Sequence, residues 1–205
     1  DLRGGGALFE PAGRNTAAAV ALATLRTLAG FGDSLMLVVP SDHEISTVRQ
    51  FWQSVEAGAA VAREGRLVVF GIRPMQPETG YGYIEVAADR NGIFDVSRFV
   101  EKPDLATAQR YVDAGNFYWN TGIFLFRASA MRDAFRAYQP AIWEAVEAAF
   151  EAATSDLSGL YMPIELYSAV PSISIDYAIM ERAERIAMVP ASFRWNDLGS
   201  WQSLL

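Results

Sequence analysis

Two aspartates that are far apart in the sequence are candidates for holding one divalent cation. Asp42 follows the apolar run of residues 35–39 in the stretch LMLVVPSDHE, and Asp197 lies between two tryptophans in WNDLGSW. Such a run predicts a strand buried on both faces, and open α/β sheets bind ligands beyond the carboxyl ends of their strands. Two neighbouring carboxylates repel each other unless a cation lies between them. The structural alternatives are that Ser41 or Asp42 caps the next helix and that Asp197 caps a terminal helix.

The loop around Glu10 has residue types suited to a nucleotide. Glu10 opens the stretch EPAGRNTA, which leads into a helix predicted to begin at Asn15 or Thr16. Free backbone N–H groups and the helix dipole favour anions and polar base edges at such a position. A carboxylate accepts two hydrogen bonds side by side, and guanine presents two adjacent donors. The alternative is an ordinary capped helix with a surface glutamate.

Three further stretches suit a sugar phosphate. QPETGYGYI contains Tyr81 and Gly82; glycine permits close backbone approach, and tyrosine hydroxyls suit a polyol. FVEKP ends a predicted strand at Glu101 and Lys102, whose side chains should face opposite sides and contact separate ligand groups rather than each other. Lys102 is a point charge suited to a phosphate. Asn120 lies just before the apolar run IFLF. The structural alternatives are a tight turn for the first stretch and solvated strand ends for the other two.

The composition excludes several classes of function. The chain has 205 residues, of which 51% are hydrophobic and 20% are charged, as is typical of globular proteins. A net charge of −7 argues against nucleic acid and anionic membranes as partners. With no cysteine and one histidine, disulfides, thiolate catalysis and the usual zinc sites are excluded, which leaves Mg²⁺ or Mn²⁺ held by oxygen ligands. No membrane-length apolar run or signal peptide is found, so a cytoplasmic protein is expected.

Alternating helices and apolar strands predict an α/β fold with a parallel sheet covered on both faces. Because no linker or repeat interrupts the pattern, a single domain over residues 1–205 is expected. The predicted helices cover residues 15–29, 45–63, 104–114, 128–153 with a break at Pro140, and 174–185. The predicted strands cover residues 34–39, 66–72, 81–87, 93–100 with a turn at 89–92 before it, 119–126 and 186–189.

Taken together, these segments resemble the mannose-1-phosphate guanylyltransferases, in particular the bacterial form that also occurs fused to a phosphomannose isomerase domain. The matching segments follow the family's order and span nearly the whole chain; they are EPAGRNTAAAVALA, VVPSDHEI, FGIRPMQPETGYGYIE, FVEKPDLATAQRYVDAGNFYWNTGIFLFRAS, SIDYAIME and WNDLGSW. The resemblance implies a Rossmann-like nucleotide-diphospho-sugar transferase fold. Its sheet is expected to be mixed but mostly parallel, with helices on both faces.

The resemblance also implies a reaction and a set of roles. GMP would pass from GTP to α-D-mannose 1-phosphate, giving GDP-mannose and pyrophosphate, with Mg²⁺ or Mn²⁺ as cofactor. Asp42, Lys102 and Asp197 would be catalytic, with the two aspartates binding the metal. The expected nucleotide-binding residues are Glu10, Asn15, Thr16 and Ser41, and the expected sugar-phosphate-binding residues are Tyr81, Gly82, Glu101, Lys102 and Asn120. GTP and mannose 1-phosphate are the expected partners, without nucleic acid or membrane, and homo-oligomerisation is left open.

One family feature has no match in this sequence. The family opens with a glycine-rich loop followed by Thr-Arg-Leu-Trp-Pro, whereas RGGGAL at residues 3–8 lacks the following residues. The chain is therefore expected to be an N-terminally truncated fragment that also lacks the C-terminal domain and is inactive, or nearly so, by itself. Three alternatives stay open: a metal-dependent glycosyltransferase, although no Asp-X-Asp is found; a silent sugar-nucleotide-binding regulator; and a related nucleotidyltransferase with another base or sugar.

Overall fold

The chain forms two compact units, each assembled from two segments. The computed structural model describes residues 6–198; residues 1–5 and 199–205, which include most of the N-terminal glycine run and the tryptophan that closes WNDLGSW, lie outside the description. The first unit comprises residues 1–34 and 128–183, and the second comprises residues 35–127 and 184–205. The expectation of a single domain over the whole chain stays a prediction.

The first unit combines a helical layer with a small sheet. Helix α1 packs against α4 and α5. The predicted break at Pro140 is confirmed, because α5 begins there. Strand β1 runs parallel to β9, which pairs antiparallel with β8. The elements of this unit are β1 (Ala7–Phe9), α1 (Asn15–Phe31), α4 (Ala128–Tyr138), α5 (Pro140–Glu151), β8 (Thr154–Ser155), β9 (Gly159–Tyr161), α6 (Ile164–Tyr167) and a π-helical turn (Asp176–Met180).

The start of α1 differs from the predicted capping arrangement. Arg14 occupies the N-cap position, and no side chain caps the helix. Asn15 instead adopts a left-handed backbone conformation with φ 62°, and its Oδ1 accepts a hydrogen bond from the Thr16 N–H at 2.8 Å. The Thr16 hydroxyl accepts from the Ile175 N–H at 2.8 Å. The Asn15 side chain therefore bonds within its own turn and that of Thr16 bonds to the distant segment at Ile175, so neither caps α1.

Two helix ends also differ from the predictions. Helix α1 continues past Gly30 to Phe31, and its C-cap is Gly32, whose φ of 68° lies in the region that favours glycine. The helix predicted over residues 174–185 is reduced to one π-helical turn, Asp176–Met180, in which the Glu181 N–H donates to the Asp176 carbonyl at 2.9 Å.

The second unit is built around a six-stranded sheet in the order β2-β7-β4-β10-β6-β5, where β5 also pairs with β7. Helix α2 packs on this sheet through Phe51 and Val55, and α3 packs through Ala108 and Tyr111. The elements of this unit are β2 (Leu35–Val38), β3 (Glu44–Ile45), α2 (Val48–Arg63), β4 (Leu67–Ile72), β5 (Gly82–Arg90), β6 (Ile93–Glu101), α3 (Leu105–Ala114), β7 (Phe117–Arg127), β10 (Ile186–Pro190) and β11 (Trp195–Asn196).

The sheet is mixed, as expected, but its strands are mostly antiparallel. Among the pairings of the described residues in this sheet, only that of β4 with β10 is parallel. Strand β2 lies at the edge and pairs antiparallel with β7, and Met36 is the one residue of β2 that is fully buried. The expectation of a strand buried on both faces is therefore wrong, because Leu35, Leu37 and Val38 are only partly buried.

Strand β3 corrects the predicted start of α2. Ile45 was assigned to a helix, yet it pairs antiparallel with Trp195 of β11, next to the pair formed by Glu44 and Asn196. This long-range pairing ends the loop after β2, and α2 begins only at Val48. A local hydrophobic pattern does not reveal a two-residue strand whose partner is about 150 residues away.

Two local predictions are confirmed, the Asn-Gly turn between β5 and β6 and the Asp104 cap at the start of α3. Asn91 and Gly92 both have positive φ, 59° and 85°, as an Asn-Gly hairpin turn requires, and the Gly92 N–H donates to Asp89 at 2.6 Å. Asp104 caps α3 by accepting a hydrogen bond from the Thr107 N–H at 2.7 Å. Within residues 6–198, no helix combines the length and apolar character needed to span a bilayer.

Candidate functional site

The pairing of β3 with β11 brings the segments of Asp42 and Asp197 together. Asn196 lies opposite Glu44, and the two strands are antiparallel. Asp42, two residues before β3, and Asp197, the residue after β11, therefore flank the same end of this two-stranded sheet. The Asp42 side chain is 83% exposed, whereas Asp197 is half-buried. The proximity expected of the two aspartates is supported by this topology, and their role as metal ligands stays a prediction.

Asp42 does not cap the helix that follows it. The N-cap position of α2 is Thr47, and neither Ser41 nor Asp42 is part of that helix start. The Thr47 hydroxyl instead accepts a hydrogen bond from the Arg194 N–H at 2.7 Å. The capping alternative is therefore wrong, and Ser41 and Asp42 stand exposed in the loop between β2 and β3.

Asp197 accepts a hydrogen bond from a neighbouring tyrosine. The Tyr81 hydroxyl donates to Asp197 Oδ1 at 3.1 Å. Burial of Tyr81 and, after it, the charge and the hydrogen-bonding carboxylate of Asp197 raise the pKa of Tyr81 to about 12, with a smaller contribution from Glu78. Tyr81 was predicted to face the sugar phosphate; in the structure its hydroxyl binds Asp197.

Sequence reasoning assigned no role to His43 and Trp195, which lie beside the two aspartates. The Trp195 indole N–H donates to His43 Nδ1 at 3.0 Å, and His43 Nε2 lies 4.0 Å from Asp42 Oδ1. The only sequence signal was that the single histidine of the chain directly follows Asp42. The hydrogen bond itself depends on β3 pairing with β11, which places Trp195 opposite Ile45.

Gly82, Glu101 and Asn120 meet at one point of the six-stranded sheet. Gly82 pairs with Glu101 across β5 and β6, and a Cβ atom added to Gly82 would lie 2.4 Å from Glu101 Oε2 and 3.3 Å from the Asn120 Cβ. Any side chain at position 82 would therefore displace the Glu101 carboxylate. Asn120 is buried, and its Oδ1 accepts from the Gly122 N–H at 3.1 Å. The structure thus brings together three of the residues predicted to line a sugar pocket.

Lys102 contacts Glu101 directly, contrary to the expectation that the two would face opposite sides. Lys102 Nζ lies 2.9 Å from Glu101 Oε1. The reason is local: β6 ends at Glu101, and Lys102 has a left-handed backbone with φ 49°, which breaks the alternation of side chains. The Lys102 N–H donates to the Tyr81 carbonyl at 3.2 Å, so the pair lies beside the Tyr81–Asp197 contact.

The predicted base-binding residues near Glu10 form a separate cluster in the first unit. The carboxylate of Glu10, which is exposed, accepts a short hydrogen bond from the hydroxyl of the buried Tyr167. Burial and, after it, this contact with Glu10 raise the pKa of Tyr167. Arg14 donates from its guanidinium to the Ser168 carbonyl, but its buried Nε has no hydrogen-bond partner in the structure. The binding roles of Glu10, Asn15, Thr16 and Ser41 stay predictions.

The residues of the second unit fit a divalent cation for which water and substrate supply most of the ligands. Within the described chain, no three His, Cys, Asp or Glu side chains converge in a way that would enclose a metal. Asp42 and Asp197 supply hard carboxylate oxygens, and Mg²⁺ is commonly held by one or two carboxylates together with substrate phosphates. The donor set therefore suits Mg²⁺ or Mn²⁺ and does not suit zinc.

Comparison with known proteins places this arrangement among nucleotidyl transferases. The family model described as nucleotidyl transferase matches residues 6–205. Xanthan biosynthesis protein XanB of Xanthomonas campestris pv. campestris (strain B100) is 50% identical over 198 residues, covering 97% of this chain and 42% of XanB. Mannose-1-phosphate guanylyltransferase of Escherichia coli (strain K12) is 46% identical over 204 residues, covering 96% of this chain and 43% of the enzyme.

A solved structure has a closely similar fold. Mannose-1-phosphate geranyltransferase from Thermus thermophilus superimposes with a TM-score of 0.84 and 36% identity, covering 96% of this chain and 56% of that protein. The chain spans about two fifths of the length of the curated relatives it matches.

Proposed function

Because the chain belongs to the nucleotidyl transferase family, we propose that it carries the acceptor and metal site of an enzyme that transfers GMP from GTP to α-D-mannose 1-phosphate. The products are GDP-mannose and pyrophosphate. One observation supports this proposal. In the second unit, a continuous set of contacts and strand pairings joins the predicted metal and acceptor residues, which are Asp42, Asp197, Tyr81, Gly82, Glu101, Lys102 and Asn120.

The reaction needs no protein nucleophile. A phosphate oxygen of mannose 1-phosphate attacks the α-phosphorus of GTP, and the bond from that phosphorus to the oxygen that bridges to the β-phosphate breaks. Pyrophosphate leaves with the electron pair of that bond. Because both reactants are anions, the protein's contribution is to hold them in line and to neutralise charge. A chain without cysteine is consistent with this direct transfer.

Lys102 and Glu101 are proposed to bind two neighbouring groups of the acceptor, its phosphate and its sugar hydroxyls. The Lys102 ammonium supplies positive charge to the phosphate of mannose 1-phosphate. The largely buried Glu101 carboxylate accepts hydrogen bonds from sugar hydroxyls, with Gly82 providing the room beside it. The 2.9 Å contact between the two side chains keeps the ammonium near the carboxylate, so that both are positioned before the acceptor arrives.

Asp42 and Asp197 are proposed to hold Mg²⁺. When bound, the ion supplies positive charge that stabilises the phosphates of both reactants. Asp42 is exposed and Asp197 is partly buried beside Tyr81, so the carboxylates reach the ion from two separate segments of the chain.

Glu10 is proposed to read the guanine base. A carboxylate offers about four acceptor positions, and the Tyr167 hydroxyl uses one of them. The remaining positions suit the ring N–H and the exocyclic amine of guanine, whereas adenine presents an acceptor at the corresponding ring position. Asn15 and Thr16, at the start of α1, lie five and six residues further along the same loop.

The test is a coupled pyrophosphate-release assay on the complete natural gene product, with each nucleoside triphosphate and a panel of sugar 1-phosphates. Turnover with GTP and mannose 1-phosphate alone is expected. Asp197→Asn should abolish it, whereas Asp133→Asn, at an exposed aspartate of α4 in the first unit, should not.

Two of the alternatives have their own result in this assay. Preference for another base or sugar would identify a related nucleotidyltransferase. Binding of GDP-mannose without any turnover would identify a silent regulator, and either result would overturn the proposal.

A further inference from the structure

We propose that Trp195 is a positioning residue that couples the two candidate metal ligands, because its side chain contacts both of the groups that orient them. Its hydrogen bond to His43 fixes the imidazole beside Asp42. Its ring contact with Tyr81 supports the hydrogen bond from the Tyr81 hydroxyl to Asp197. This inference rests on the proposed function, since it concerns the same metal site. It adds residues 43 and 195, for which the sequence had suggested no role.

The contact with His43 fixes the tautomer of the imidazole. The Trp195 N–H donates to Nδ1 at 3.0 Å, and the two rings meet edge to face at 81° with centroids 5.3 Å apart. Because Nδ1 accepts this hydrogen bond, the ring proton lies on Nε2. Nε2 is 4.0 Å from Asp42 Oδ1, which is too far for a direct hydrogen bond, so the N–H acts on the carboxylate as a nearby positive end of a dipole.

This arrangement makes His43 a supporting group rather than a metal ligand. One ring nitrogen is occupied by Trp195, and the other carries the proton and has no lone pair to offer. The His43 side chain is 17% exposed, whereas that of Asp42 is 83% exposed. A largely buried imidazole held by an indole therefore keeps a fixed N–H dipole beside a carboxylate that is otherwise surrounded by solvent.

The contact with Tyr81 acts on the other aspartate. The Tyr81 ring lies against Trp195 with centroids 5.5 Å apart, and against Trp119 with centroids 5.3 Å apart. Held between the two indoles, Tyr81 directs its hydroxyl to Asp197 Oδ1 at 3.1 Å. Hydrogen bonds to metal-binding carboxylates fix their orientation, and removing such partners typically weakens metal affinity by about 10–100-fold.

The test measures binding of Mn²⁺ alone by electron paramagnetic resonance, so it does not depend on turnover. Trp195→Phe keeps an aromatic ring but removes the indole N–H, and it should weaken Mn²⁺ binding about tenfold. Trp52→Phe is the matched control, because Trp52 is an exposed tryptophan of α2, and its Mn²⁺ affinity should equal that of the unmodified protein. Thermal melts of both variants show whether the fold is retained.

The outcomes separate this inference from the proposed function. If Asp42→Asn and Asp197→Asn leave Mn²⁺ binding unchanged, the metal site of the proposed function is wrong. If both aspartate variants abolish binding while Trp195→Phe binds Mn²⁺ as well as Trp52→Phe does, the metal site stands and the positioning role of Trp195 is overturned.

A second measurement does not require any variant to fold. His43 is the only histidine among these 205 residues, so its ring nitrogens give one set of signals in ¹⁵N–¹H correlation spectra of the ¹⁵N-labelled 205-residue chain. A proton on Nε2 and an acceptor at Nδ1 are expected. A proton on Nδ1 would exclude the hydrogen bond from Trp195 and overturn the inference.

Discussion

The Tyr81 hydroxyl donates a hydrogen bond to Asp197 Oδ1 at 3.1 Å, and the Tyr81 carbonyl accepts one from the Lys102 N–H at 3.2 Å. One residue thus links the loop before β5, the end of β6 and the segment after β11. These are the places where a sugar phosphate and a cation are proposed to bind. The consequences of this link can be measured in alkaline solution.

Tyr81 should ionise later than an ordinary tyrosine. Its pKa is raised from 10.0 to about 12, mainly by burial and then by Asp197. Because the pKa is higher in the folded state than in the unfolded state, the stabilisation from protonated Tyr81 is complete below pH 10 and is lost as the pH rises towards 12. Tyr81→Phe should flatten the fall in melting temperature over this window, and absorbance of tyrosinate should show one fewer late-titrating group.

Tyr177→Phe serves as the control, because Tyr177 is 42% exposed and lies in the first unit. It should leave both the late absorbance step and the alkaline fall in melting temperature unchanged. A melting curve of Tyr81→Phe that falls as steeply as that of the unmodified protein would contradict the prediction.

Gly82→Ala should weaken binding of mannose 1-phosphate. The added Cβ would lie 2.4 Å from Glu101 Oε2, so the carboxylate must move. A hydrogen bond from a sugar hydroxyl to this carboxylate would then be lost, which costs about 1.5–3 kcal/mol and corresponds to a loss of affinity of about tenfold to a hundredfold. Isothermal titration of mannose 1-phosphate into the two proteins measures the effect.

Gly80→Ala is matched to this change, since it lies two residues away and a Cβ there would have no atom within 4 Å. Its affinity for mannose 1-phosphate should stay that of the unmodified protein. Equal losses in the two alanine variants would indicate an effect on the loop as a whole and not on Glu101.

Glu10→Gln should reduce the preference for GTP over ATP with less effect on mannose 1-phosphate binding. The amide keeps one acceptor but presents a donor where guanine also donates, and an unpaired polar group in a binding site costs about 1–3 kcal/mol. Equilibrium binding of GTP and ATP to the complete gene product measures the preference. Glu165→Gln, at an exposed glutamate of α6, is the control. An unchanged preference in Glu10→Gln would mean that the base is read elsewhere, for example by backbone groups near Asn15.

Asp104 should make the stability of the protein depend on pH in acid. The hydrogen bond from the Thr107 N–H is the main cause that lowers the pKa of the Asp104 carboxyl. Since its pKa is lower in the folded state, its stabilisation is present above its ordinary pKa of 3.8 and is lost as the pH falls through the folded value. Asp104→Ala should lower the melting temperature at neutral pH, whereas Asp104→Asn should retain the cap but weaken the acid dependence. Identical acid limbs for Asp104→Asn and the unmodified protein would exclude this role.

Local sequence signals determined many of the elements. Asp104 after Pro103 marked the start of α3, the Asn91–Gly92 pair marked the hairpin turn, and Pro140 marked the break between α4 and α5. Each signal works through atoms within a few residues of it: a cap bonds to the next turn, and a turn needs particular φ values. The types of the candidate site residues were likewise evident from the sequence alone.

Only the tertiary structure decided how these residues meet. The pairing of β3 with β11 brings Asp42 and Asp197 to one end of a small sheet, and the left-handed backbone of Lys102 turns its side chain onto Glu101. The position and the direction of β2 in the sheet could not be predicted either. An apolar run fits the edge or the centre of a sheet equally well, and only its neighbours decide between them. These contacts join segments up to about 150 residues apart, and the free energy that selects them comes from packing the whole sheet, which no local window of sequence contains.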